Sequence, residues 1–325
     1  MSHGIQTATE SQSTMVWGML RRVFIGGPES RGMDERAALS LLAADLDAAG
    51  DDAAVVDGQV LTTDMLHETT DFPEGTSRYT AGWRAVGASL SDVAAMGAEA
   101  TAAVAAYASP TFDESELRAF VRGARDVCEL VGARYVGGDL DAHQEFTVAS
   151  TALGRTDAPV FRSGASPGEC VFVTGTLGRS AAALRAFDRG DADLGNEYFR
   201  FEPRVEAGRT LAAHARAMLD SSDGLARSVH LLASASECGI ALESESIPVD
   251  DALAAAVDDA DAALTEAITF GEDFELVGTA PDTGIEAVRN ELSVPVTVVG
   301  TVVESGVTLD GHQLDDTGFT HGDSA

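Results

Sequence analysis

Apolar and polar positions along the chain follow two spacings in turn, and each change of spacing marks an element. From Asp34 the leucines Leu39, Leu42 and Leu46 fall on one helical face. The runs AAVV and QVLT then flank the pair Asp57-Gly58, a strong hairpin signal. A regular hairpin sets Val56 opposite Gln59, Ala53 opposite Thr62, Asp52 opposite Thr63 and Asp51 opposite Asp64. Like charges so opposed repel, which a cation between Asp51 and Asp64 or a frayed, hydrated hairpin mouth would relieve equally well. Residues 80–96 carry a helical stripe of Trp83, Val86, Leu90 and Val93, with Gly97 past its end and Asp92 off the stripe. A strand over 101–108 and a helix capped by Asp113, with Glu116 three residues on, come next. The strand RYV is expected to stop at the turn Gly137-Gly138-Asp139, and another covers 146–153.

Gly154 to Gly168, with Pro159 and Pro167, reads as a domain boundary. Beyond it, VFVTG leads through Thr176-Leu177-Gly178 into a helix, a junction suited to anions. Asp223 stands where the N-cap of a helix over 224–236 would be. Helices over 250–267 and 283–291 alternate with strands over 240–246, 273–279 and 295–303. The expected fold is α/β (α+β), with mixed sheets in two domains. Residues 1–32 read as a disordered extension ahead of Met33. Residues 33–157 form an N-terminal domain and 158–325 a C-terminal α/β domain.

Composition changes this picture in one respect. The 325 residues carry 53 acids against 21 bases, a formal charge of −32, and every base is arginine. The acids are spread over the whole length, as on a halophile's solvated surface, so an isolated Asp or Glu says nothing about function. Such charge repels a nucleic-acid backbone. No apolar run approaches the ~18 residues of a membrane helix, and Arg21-Arg22 interrupt the only stretch resembling a signal peptide. Cys128, Cys170 and Cys238 lack metal spacing and suit a reducing cytoplasm.

Against that background, several aspartates stand in clusters beside glycine and hydroxyl residues: Asp51-Asp52, Thr62-Thr63-Asp64, Ser91-Asp92, Gly138-Asp139 and Asp220-Ser221-Ser222-Asp223. Oxygen ligands of this kind suit Mg²⁺ or Ca²⁺. The loop GxxxxGK followed by Ser or Thr is absent, which excludes a P-loop. Any phosphate chemistry must draw its positive charge from metal ions and arginine.

Taken in order, the motifs GDDAAVV, TTDML, LSDVAAMGA, GGD, FRSGASPGE, VTGTLG, DSSDGL and GEDFEL resemble the ATP-dependent superfamily of aminoimidazole-ribonucleotide synthetase, and within it the thiamine-monophosphate kinase family. The resemblance runs from about Gly50 to Phe319. It implies that Asp52, Thr62, Thr63, Asp64, Asp92, Asp139, Asp220 and Asp223 ligate several Mg²⁺ ions. It implies ATP contacts at Gly138, Arg162 and Ser222, and thiamine-end contacts at Glu272 and Phe319. Where many relatives carry a substrate histidine, this chain has Asp71, with His67 four residues before it. The resemblance further implies a homodimer through the N-terminal halves, with ATP between the domains. A phosphate monoester acceptor is already an anion, so no catalytic base is needed. Two other readings are a ring-closing synthetase of purine synthesis and an inert nucleotide- and Mg²⁺-binding regulator. Selenophosphate synthetase and the hydrogenase-maturation relative would call for a reactive Cys with a Lys, or a C-terminal Cys, which this chain lacks.

Overall fold

The computed structural model describes residues 41–318 apart from 43, 44, 47 and 290. The expected extension over 1–32, most of the helix expected from Asp34, and Phe319 lie outside the described residues.

Strands β1 (Ala54–Val56) and β2 (Gln59–His67) form the hairpin, with Val56 opposite Gln59. Asp57 and Gly58 both adopt positive φ, 52° and 77°, as the tight two-residue turn requires. The ladder stops at Ala54, so the expected opposition of Asp51 to Asp64 does not occur. The reason is a stronger competitor: both Asp51 carboxylate oxygens accept the backbone N–H of Arg162 at 3.1 Å.

Helices α1 (Glu68–Asp71) and α2 (Arg78–Ala95) follow, then β3 (Glu99–Ser109) and α3 (Glu114–Leu130). Asp113 caps α3, accepting from Ser115 N at 2.8 Å and Glu116 N at 3.1 Å. Strands β4 (Arg134–Ala142) and β5 (Thr147–Arg155) complete a five-stranded sheet ordered β1-β2-β5-β3-β4. The expected turn at Gly137-Gly138-Asp139 is not there; β4 runs straight through it, paired in parallel with β3. Helices α2 and α3 meet at near-backbone contact. A Cβ on Gly82 would sit 2.2 Å from Phe120 O, and one on Gly123 would sit 1.9 Å from Tyr79 O. Val86, Leu90 and Val93 of α2 are fully buried. The sheet's other face is open, with Leu61, Met65 and Val104 exposed.

The second half holds β6 (Cys170–Thr174), α4 (Arg179–Asp188), α5 (Ala192–Phe199), α6 (Val205–Leu211), β7 (Ala217–Asp220) and α7 (Leu225–Ala235). It continues with β8 (Gly239–Leu242), α8 (Asp251–Ala256), α9 (Ala260–Thr269), β9 (Leu276–Ala280), α10 (Asp282–Val288), β10 (Val296–Val303), β11 (Val307–Leu309) and β12 (His312–Gln313). These strands form a seven-stranded sheet ordered β12-β11-β8-β10-β6-β9-β7. Both sheets are mixed, each with one parallel pair, β3–β4 and β11–β8. The single helix expected over 250–267 is two, because Asp259 starts a new one by accepting from Asp261 N at 3.1 Å. One apolar cluster joins Val86, Leu90 and Met96 to Phe199, Leu211 and Leu276, so α2 is shared by the cores of both halves. No described helix is long and apolar enough to cross a membrane.

Candidate active site

The site forms where α2 meets the ends of β1, β2 and β7. Alternation along β2 turns Thr62 and Asp64 inward toward α2 and leaves Thr63 outward. Thr62 Oγ1 donates to Asp92 Oδ2 of α2 at 2.5 Å. Ser89, one helical turn earlier, donates to Asp64 Oδ2 at 2.6 Å and meets Ser150 Oγ at 2.7 Å. Asp220 arrives from the other half, at the end of β7. Carboxylate oxygens of Asp52, Asp92 and Asp220 lie within 4.8 Å of one another.

Burying so many acids together strains their ionisation. Burial, reinforced by Asp64, Asp220 and Asp52, holds the Asp92 carboxyl well above the usual carboxylate range. Burial and the charge of Asp52 push Asp220 up to about 7. Burial raises Asp64 too, against the opposing bond from Ser89. Asp51 stands at about 6, through burial and then the Asp52 charge. Asp220 Oδ2 is buried with no hydrogen-bond partner among the described residues. An unpartnered carboxylate oxygen facing two more carboxylates suits a hard divalent cation, and this donor set fits Mg²⁺.

Arg162 bears directly on the cluster. Its guanidinium forks onto Asp52, Nη2 to Oδ1 at 2.9 Å and Nε to Oδ2 at 3.3 Å. Ser222 N donates to Asp220 Oδ1 at 3.3 Å, while Ser222 O accepts from Glu272 N at 2.6 Å. The 221–224 loop therefore links the acidic cluster to Glu272. Asp223 lies in that loop, but the N-cap position of α7 falls on Gly224, without a side-chain cap. Glu272 pairs with Arg84 of α2.

Other expected positions fall elsewhere. Thr63 faces outward, with Oγ1 bonded to Ser150 O at 2.8 Å. Gly138 shares a cross-strand row with Asp64 through Ser150 and Ala105, and Asp139 is paired with exposed Ala106. Three strand spacings separate β4 from β2, about 14 Å, so Asp139 stays outside the cluster of its own chain. Asp71 accepts from His67 N at 2.7 Å and Thr70 Oγ1 at 2.8 Å, which engages one of its oxygens within its own turn.

The anion-suited junction before α4 is already filled by a residue of the chain. Asp273 accepts from Gly178 N at 2.6 Å and from Ser180 N at 2.9 Å. Sequence reasoning missed Arg84 and Ser89. Arg84 stands within the apolar run of α2, but nothing in the sequence shows what it faces.

With the geometry established, comparison with known proteins gives it a context. The family described as AIR synthase related protein, N-terminal domain, matches residues 50–156, and the corresponding C-terminal domain matches 166–311. A thiamine-monophosphate kinase of Halobacterium salinarum is 60% identical over 89% of this chain and 100% of its own. This chain belongs to the thiamine-monophosphate kinase family. A second member, from Methanospirillum hungatei, is 39% identical over 89% of this chain and 99% of its own. The structure of AaThiL complexed with AMPPCP and TMP matches 90% of this chain and 100% of its own, with 28% identity and a TM-score of 0.82. The family's fold, α+β with two mixed sheets, is the fold described above.

Proposed function

We infer that this chain transfers the γ-phosphoryl group of ATP to thiamine monophosphate, yielding thiamine diphosphate and ADP. The observation that carries the reading is the partly buried cluster of Asp52, Asp92 and Asp220, in a chain 60% identical to a thiamine-monophosphate kinase. Asp52, Asp64, Asp92 and Asp220, with Thr62 beside Asp92 and Asp223 in the adjoining loop, are the ligands we assign to Mg²⁺. When bound, Mg²⁺ would supply the positive charge that screens phosphate from phosphate.

The chain's own groups do the rest. Ser89 and Thr62 fix Asp64 and Asp92 by donating to one oxygen of each, so that the other oxygen would be the one to hold a cation. Those carboxyls would have to be ionised to hold a cation, against the burial that raises Asp92 and Asp220. Arg162, forked on Asp52 in this structure, is the guanidinium we assign to the nucleotide, beside Ser222. Glu272 is the residue we assign to the thiamine end. The acceptor is a phosphate monoester anion, so no side chain has to remove a proton from it.

The open face of the five-stranded sheet supports the dimer. Leu61, Met65 and Val104 are exposed there, on strands whose other face buries Val60, Thr62, Ala103 and Ala105. Apolar surface so presented suits a second copy of the chain, and Thr63 and Asp139 stand on that same face. We place the reaction in the cytoplasm, where ATP is supplied, and read the dispersed acidic surface as salt adaptation.

The test is direct. Incubation with ATP, Mg²⁺ and thiamine monophosphate should give thiamine diphosphate and ADP in equal amounts by chromatography. ADP released without thiamine diphosphate would overturn the reading. A ring-closing synthetase is not favoured, given the relatives named above.

A further inference from the structure

Arg84 is the residue the mechanism above leaves without a task. Its side chain is only 3% exposed, in the middle of α2. Nη1 donates to Phe199 O at 2.5 Å, and Nη2 donates to both the side-chain Oε2 and the backbone O of Glu272, the latter at 3.3 Å. The guanidinium lies against the Phe199 ring, 3.6 Å from its centroid. Face and edge of the group are thus both fixed, and what they fix is one residue of the other half of the chain.

That residue sits in an unusual backbone. Gly271, Glu272 and Phe274 all have positive φ, 79°, 64° and 54°. A glutamate and a phenylalanine in this region hold a conformation that must be imposed by their surroundings. Glu272 N is tied to Ser222 O, and its carbonyl accepts Ser180 Oγ at 2.7 Å as well as Arg84. The carboxylate also feels the acidic cluster, since the charge of Glu272 is one of those acting on Asp64. Unopposed, that repulsion drives Glu272 away from the cluster.

A cation serving only to rivet α2 to the loop could stop at the carbonyls of Phe199 and Glu272. This one also takes a carboxylate oxygen, on a side chain that remains 28% exposed. We propose that Arg84 is a positioning residue: it holds Glu272 beside the acidic cluster with one carboxylate oxygen engaged and the other presented to the organic end of the acceptor, where an amino group would be its donor. The proposal rests on the assignment of Glu272 to the thiamine end.

The experiment is steady-state kinetics on the full chain with Mg²⁺, for Arg84→Lys, Arg84→Met, Glu272→Gln and the double variant Arg84→Met/Glu272→Gln, with melting temperatures alongside. Lysine keeps the charge but loses the planar fork, so Arg84→Lys keeps the fold and carries the test even where Arg84→Met does not fold. Arg84→Lys should raise the KM for thiamine monophosphate about tenfold and leave the KM for ATP within about twofold. The double variant should be no worse than the more impaired single variant, because both changes remove the same interaction. Equal effects on both KM values, no effect on either, or effects that multiply in the double variant would overturn the proposal and leave Arg84 a rivet. A Glu272→Gln enzyme with unchanged KM for thiamine monophosphate would remove the assignment on which it stands. Failure of the unaltered protein to form thiamine diphosphate would instead defeat the proposed function itself.

Discussion

Replacing Asp92 by asparagine should make the metal-free protein more stable while abolishing turnover. Carboxylate oxygens of Asp52, Asp92 and Asp220 lie within 4.8 Å of one another. At an effective dielectric of ~20, two unit charges at that separation repel by roughly 3.5 kcal/mol. Removing the Asp92 charge deletes two such pairs, about 7 kcal/mol, besides its repulsion with Asp64. The folded protein avoids part of this by retaining protons, since Asp92 is held well above the usual range and Asp220 stands at about 7. A carboxyl whose folded pKa is raised binds protons more tightly folded than unfolded. Its stabilisation is full below the ordinary aspartate value of 3.8 and is lost as pH rises through the folded value. Above pH 7 the variant should therefore exceed the unaltered protein by on the order of 3 kcal/mol, or about 5–10 °C in Tm, and the gap should close toward pH 4. The asparagine oxygen can still accept from Thr62, so packing changes little. Thermal melts in chelator from pH 4 to pH 8 provide the assay, with Mg²⁺ then added to raise the Tm of the unaltered protein more than that of the variant. A variant that melts at or below the parent temperature at pH 8 without metal would refute the electrostatic argument.

Arg162→Ala removes a bidentate charged contact and should raise the KM for ATP about 10- to 100-fold, and that for thiamine monophosphate much less; equal effects would return Arg162 to a purely structural partner of Asp52. Val104→Glu puts a charge in the open apolar sheet face and should split the dimer proposed above in light scattering, while a variant unchanged in mass would argue against pairing through that face. If the charge of −32 is a salt-adapted surface, dilute buffer should unfold or dissociate the protein, and millimolar Mg²⁺ should restore turnover only in molar salt, where the Debye length is about 3 Å. A folded, active enzyme in low salt with Mg²⁺ alone would count against that.

Where a feature depends on neighbours in the chain, the residues announced it. The hairpin turn at Asp57-Gly58, the Asp113 cap and the stripe of α2 each rest on interactions within a few residues, and each appears where expected. The failures share a different cause. Asp51 leaves the hairpin for Arg162, 111 residues away. Gly137 and Gly138 look like a turn but extend β4, because parallel pairing with β3 outweighs local preference. Strand β7, only four residues long, carries no alternation to reveal it and forms against β9. In the site, the carboxylates were visible as motifs, whereas the groups that hold them, Ser89, Ser150 and Arg84, were not. A buried serine or arginine is distinguished by what it faces, and that is settled only by the packing of α2 between the two sheets.

The carboxylate of Asp273 seated at the start of α4 has a consequence for how nucleotide is admitted. A helix start of this kind would ordinarily welcome phosphate without any metal, but here the Asp273 carboxyl already takes its N–H groups. No lysine exists to take over. Uncomplexed ATP would meet the carboxyls of Asp52, Asp92 and Asp220 with Arg162 already engaged on Asp52, so the magnesium complex of ATP should be the better ligand. A cell whose magnesium falls would then slow this step through loss of its true co-substrate, without free ATP clogging the enzyme as a competitive inhibitor.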